Sequence, residues 1–93
     1  MNYNMKEVGT RIKQLRKEKG LTQEQLAENL DITAGTIGKI EIGRTGISID
    51  LLICMSDFFE VPTDYIILGK KSDMRLLKGE IHNIIVRLEE IEK

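Results

Sequence analysis

The 93-residue sequence predicts an all-α protein, and three observations carry that expectation. Charged residues make up 31% of the chain and aromatics 4%, a balance that suits packed helices better than a β-sandwich. Apolar residues recur three and four apart, as Val8, Ile12 and Leu15 do, instead of alternating. Helix punctuation separates these runs: Thr22 and Gln25 have the spacing of a capping box, and glycines 20, 43 and 69 stand where periodic segments end.

The first helix is expected over Met5 to Lys19, with Val8, Ile12 and Leu15 inward and Arg11, Lys13, Arg16, Lys17 and Lys19 on its outer faces. A basic run of this kind is ordinarily a solvated face. Gly20 ends the helix and Leu21 anchors the turn. Thr22 caps a second helix whose apolar face is Leu26, Ala27 and Leu30. That helix must stop near Asp31, because Asn29, Asp31, Ile32 and Thr33 are weak helix formers and Asp tolerates a left-handed turn. Thr33 restarts the chain as a third helix to Ile42, with Ile37 and Ile40 inward and Ala34, Gly35, Thr36, Gly38 and Lys39 around the remaining surface. After the loop from Gly43 to Ser48, Ser48 caps a fourth helix with Ile49, Leu52, Met55 and Phe59 as its core stripe. Leu51, Cys54 and Phe58 make a second stripe, which one small domain does not easily bury and which offers itself to the C-terminal segment or another subunit. Pro62 suits the first turn of a fifth helix, Thr63 to Leu68, which Gly69 ends.

A polar junction, Lys70 to Asp73, then divides the chain into a domain of residues 1–69 and a terminal segment of residues 70–93. In the latter Met74, Leu77, Ile81, Ile84, Leu88 and Ile91 form a heptad seam, the pattern of a dimerisation helix. At about 27 Å such a helix is too short to pair firmly unaided. It either pairs with a second copy or packs back on its own domain.

Composition excludes several classes. The N-terminus lacks the apolar core of a signal peptide and no apolar run approaches the roughly 20 residues of a membrane span, so a cytoplasmic protein is expected. A single cysteine, Cys54, and a single histidine, His82, leave no disulfide and no zinc site, and no metal or cofactor is expected. Without a glycine-rich phosphate loop or a nucleophile beside a base, an enzyme is the least favoured class. The formal charge of −1 is unevenly spread: residues 1–46 carry eight Lys or Arg against six Asp or Glu, residues 47–93 six against nine. Only the first half is suited to meet phosphate.

The run I-K-Q-L-R-K-E-K-G-L-T-Q-E-Q-L-A from Ile12, then I-T-A-G-T-I-G-K-I-E-I-G to Gly43, then V-P-T-D-Y-I-I-L-G at Val61 to Gly69, resembles the Cro/C1-type (XRE-like) helix-turn-helix transcriptional regulators. The resemblance implies a five-helix lambda-repressor-like DNA-binding domain followed by the C-terminal helix for dimerisation. It implies that Arg16 pairs with Glu41, tying the first helix to the end of the third. Thr22 and Gln23 would meet phosphate at a helix N-terminus. Thr33, Ala34, Gly35, Thr36, Gly38 and Lys39 would lie in the major groove, with Arg44 and Thr45 on the backbone beyond it. Here the chain departs from the family pattern, since relatives place long polar side chains where Ala34, Gly35 and Gly38 stand. These allow close approach and, at Ala34, contact with a thymine methyl, but no bidentate hydrogen bond. Thr36 and Lys39 are left as the expected direct readers, with operator shape supplying the rest. Ile47 stands where a proline is common, which bears on the rigidity of the loop. The implied partners are a double-stranded operator and a second copy of the chain, with no membrane. Two alternatives are an antitoxin-like autoregulator that also binds a partner protein, and an interaction module that no longer reads DNA.

Overall fold

A computed structural model describes residues 3–69, which form five helices: α1, Met5–Glu18; α2, Gln23–Leu30; α3, Ala34–Glu41; α4, Ile49–Phe59; and α5, Thr63–Leu68. The seam from Met74 to Ile91, the junction before it and His82 lie outside the described residues. Among those described there is no strand, and no helix is long and apolar enough to cross a membrane.

Each helix begins and ends for a local reason. Asn4 caps α1 by accepting from the Lys6 and Glu7 amides. At α2 both halves of the capping box are made: the Gln25 amide donates to Thr22 Oγ1 (3.1 Å) and the Thr22 amide to Gln25 Oε1 (2.9 Å). Asp31 takes the left-handed conformation (φ 57°) that stops α2. Thr33 caps α3 and Ser48 caps α4. Thus α3 is one residue shorter at each end than the Thr33 to Ile42 expected, these two serving as its caps. Pro62 is likewise the cap of α5, not part of its first turn.

Val8, Ile12, Leu15, Leu26, Ala27, Ile37, Ile40, Met55, Phe59 and Ile66 make one buried cluster. In it α1 packs on α3 and α5, α2 on α3 and α4, and α4 on α5. The crossing of α1 over α3 depends on Gly9. A Cβ there would overlap the Ile40 carbonyl oxygen and lie 2.6 Å from that of Glu41, so the helix accepts a poor helix former in order to let two backbones touch.

Three expectations are corrected. Ile49 is 75% exposed and does not belong to the core stripe. At about 100° per residue, Met55 is the middle of the arc that α4 turns inward, and Leu51, Leu52, Phe58 and Phe59 lie within about 80° of it. Ile49 and Ile53 fall on the far side. The second stripe is therefore not a separate surface: Leu51 and Phe58 pack against the core, and Cys54 alone of the three is exposed. Phe58 also meets Phe59 edge-on and carries the Lys19 ammonium 5.0 Å from its ring centre. Finally, Arg11 is half-buried, not solvated. Its Nε donates to the Ile66 carbonyl and its Nη2 to that of Ile67, both at 2.8 Å, so a cation closes the carbonyl end of α5. Arg16 is buried at 8% exposure, in the pairing with Glu41 that the resemblance implies.

Candidate nucleic-acid interface

The turn between α2 and α3 brings two helix N-termini and one loop to the surface, and buried polar groups hold them in place. Arg16 and Glu41 are brought together by a two-point contact, Nε to Oε2 at 2.6 Å and Nη2 to Oε1 at 3.0 Å. The third face of the guanidinium is used as well, since Nη1 donates to the Leu21 carbonyl at 2.7 Å. One side chain therefore joins α1, the turn before α2 and the last residue of α3. The hydrogen bond to Glu41 raises the Arg16 pKa above its ordinary value, against the opposing effect of burial, with the Glu41 charge adding to the rise. The guanidinium is therefore charged at neutral pH.

Gln23 extends this network outward. Its Nε2 donates to Glu41 Oε1 at 3.1 Å, and its amide lies over Gly38, where an added Cβ would stand 3.6 Å from Oε1. Gln23 is half-buried, while Thr22 beside it is exposed. As the first residues of α2, Gln23 and Glu24 have backbone N–H groups with no helical partner.

On α3, Thr33, Gly35 and Lys39 are exposed and Ala34, Thr36 and Gly38 half-buried. Ala34 packs against the core, so part of its methyl is spent inward. The hydroxyls of Thr33 and Thr36 lie 2.8 Å apart, and Thr33 Oγ1 also accepts from the Thr36 amide. Bonded as a pair, they retain a single hydroxyl hydrogen to offer elsewhere. Lys39 is the one long cationic side chain on the exposed side of the helix.

Beyond α3, Gly43 (φ 77°) turns the chain, its amide bonding the Ile40 carbonyl at 3.0 Å and the Arg44 amide that of Lys39 at 2.9 Å. These two bonds close the helix and fix where Arg44 starts. Arg44 and Thr45 are exposed. Ile47 supplies an N–H that a proline would lack, and it donates to the Tyr3 hydroxyl at 3.4 Å, so the loop is braced by the N-terminal segment instead of by a ring. Sequence reasoning missed Gly9, Tyr3 and the Gln23 to Glu41 bond. Only Gly9 left a trace, as a poor helix former within a strongly periodic helix. Among the described residues no group of three or more His, Cys, Asp or Glu is placed to hold a metal ion.

Comparison with known proteins gives a consistent picture. The family model described as helix-turn-helix (HTH_3) matches residues 12–66. The chain is 40% identical over 65 residues to the HTH-type transcriptional activator BcrR of Enterococcus faecalis, covering 70% of this chain and 32% of that protein. It is 30% identical over 87 residues to the HTH-type transcriptional regulator ImmR of Bacillus subtilis, covering 89% of this chain and 68% of that one. The chain thus spans about a third of the first of these relatives. Among solved structures, SinR in complex with DNA superposes with a TM-score of 0.58 at 35% identity, over 63% of this chain and 95% of that one. The P22 c2 repressor, in complex with a synthetic operator, shares the fold with a TM-score of 0.65 at 24% identity, over 68% and 96% of the two chains.

Proposed function

The chain belongs to the Cro/C1-type helix-turn-helix family, one of transcriptional regulators and not of enzymes, and from that premise we propose that it is a sequence-specific regulator of double-stranded DNA, a repressor acting as a homodimer. The observation that carries the reading is the placing of α3: its inner residues are buried to the last, while Thr33, Gly35, Lys39 and Arg44 stand exposed on or just beyond it. In this reading α3 enters the major groove. Gly35 permits close approach, and Thr36 and Lys39 make what direct contacts there are, with Ala34 sharing its methyl with the interior. Thr22 and Gln23 meet one phosphate run, Arg44 and Thr45 another.

Two copies related by a two-fold axis would set their recognition helices about 34 Å apart, one turn of the duplex, on an inverted repeat. The seam of Met74, Leu77, Ile81, Ile84, Leu88 and Ile91 is the segment proposed to join them. Such a regulator works where its DNA is, in the cytoplasm.

Selection of bound duplexes from a random pool tests the reading directly. Enrichment of an inverted repeat with half-sites about 10 base pairs apart is the expected result. Changing Lys39 and Arg44 together to Ala should then weaken binding at every salt concentration and make the salt dependence shallower by about two charges per subunit. A pool that yields no enriched sequence even at low salt would leave the chain as an interaction module.

A further inference from the structure

We propose that Gly38 and Glu41 are positioning residues for Gln23: the lack of a long side chain at Gly38 leaves the space in which its amide lies, and the Glu41 carboxylate takes one of its two N–H hydrogens. The second hydrogen is then left in a single fixed orientation for a DNA phosphate. This rests on the DNA-binding reading above, and it changes the role of Gly38 from a residue that approaches the duplex to one that seats another side chain.

The geometry points this way from two independent sides. An added Cβ at Gly38 would lie 3.6, 3.9 and 4.0 Å from Gln23 Oε1, Nε2 and Cδ, so the whole amide, not its tip, rests on that position. At the other side, Nε2 is 3.1 Å from Glu41 Oε1, whose carboxylate is already fixed by the guanidinium of Arg16. A carboxylate only accepts, so the amide must face it with nitrogen and the two ends of Gln23 cannot exchange. A free glutamine on a helix surface would lose several rotamers on meeting DNA; this one has lost them on folding. Gly35 differs, since an added Cβ there meets nothing nearer than Thr33 Oγ1 at 3.9 Å.

The distances separate two substitutions at one position. Gly38→Ala makes only ordinary contact and leaves Gln23 in place, whereas Gly38→Leu puts carbon where the amide lies. Two measurements on the full chain follow. In the first, the side-chain amide resonances of Gln23 should be well separated and slow to exchange in wild type and Gly38→Ala, and collapse to free-amide values in Gly38→Leu. In the second, affinity for a random-sequence duplex is measured across a salt series. Gln23→Met, which fills the slot without a donor, and Gly38→Leu should each lose roughly tenfold, with the slope unchanged because the contact is a neutral donor. The double variant should be no weaker than either single one.

Wild-type affinity in Gln23→Met, losses that multiply in the double variant, or amide resonances unmoved by Gly38→Leu would each overturn the proposal. Should wild type bind no duplex at all, it is the DNA-binding reading that fails, and the resonances still decide whether Gly38 and Glu41 hold Gln23. If Gly38→Leu does not fold, Gln23→Met and the wild-type resonances carry the decision alone.

Discussion

Arg16 carries a full charge into the interior, and its surroundings explain why that is tolerated: all three faces of the guanidinium meet an acceptor, two on Glu41 and one on Leu21. Removing one partner should therefore be far worse than removing both. Arg16→Ala or Glu41→Ala strands the other group and should cost about 3–5 kcal/mol in urea unfolding, while Arg16→Met combined with Glu41→Leu should cost clearly less than either. The pH dependence has a definite sign. A raised arginine pKa gives stability that is complete below the ordinary arginine range and is lost only as pH climbs through the folded value, so stability from neutral to mildly alkaline pH should not vary on account of Arg16. Gly9 is the other decisive position. Gly9→Ala places a methyl against the Ile40 and Glu41 carbonyls and should destabilise by about 1–3 kcal/mol, although alanine is the better helix former.

Two helices carry residues that local propensity would not have chosen, and they give opposite kinds of test. Glu60 ends α4 in the left-handed conformation (φ 56°), which costs a side-chain residue about 1 kcal/mol or more, so Glu60→Gly should raise the melting temperature. Gly35 lies in α3 with open space around it. Gly35→Ala should stabilise the fold by about 0.5–1 kcal/mol. If operator affinity falls even so, the helix runs close enough to the duplex for one methyl to matter. These elements also mark what could be read in advance. Caps were legible because Thr22, Thr33 and Ser48 act on amides three residues away, and Asp31 because Asn29, Ile32 and Thr33 around it are weak helix formers. The burial of Arg11 was not, since it depends on partners elsewhere in the chain: Arg11 bonds carbonyls 55 and 56 positions on. Periodicity misplaced Ile49 because steps of three drift steadily around a helix, and only the packed neighbours say where the buried arc is centred. At the candidate site, the Arg16 and Glu41 pairing came from resemblance, and Gln23 was found on the surface side of a network that no local pattern encodes.

For the whole molecule, the proposed division after Gly69 makes the sharpest prediction. Residues 3–69 contain one buried cluster of side chains and five helices packed around it, so a chain ending at Gly69 should unfold cooperatively. It should also sediment as a monomer and bind an inverted repeat far more weakly than the full chain, because each half-site must then be held alone. A truncated chain that remained dimeric would move the subunit contact into the helical domain, with the exposed Ile49 and Ile53 of α4 the first place to look. One practical matter follows from the bond between Tyr3 and Ile47. The loop that presents Arg44 leans on Tyr3, so a purification tag fused just ahead of that residue hangs from its brace. Affinities measured with the tag in place and after its cleavage will then describe two differently supported loops, and should be compared before either is taken as the native value.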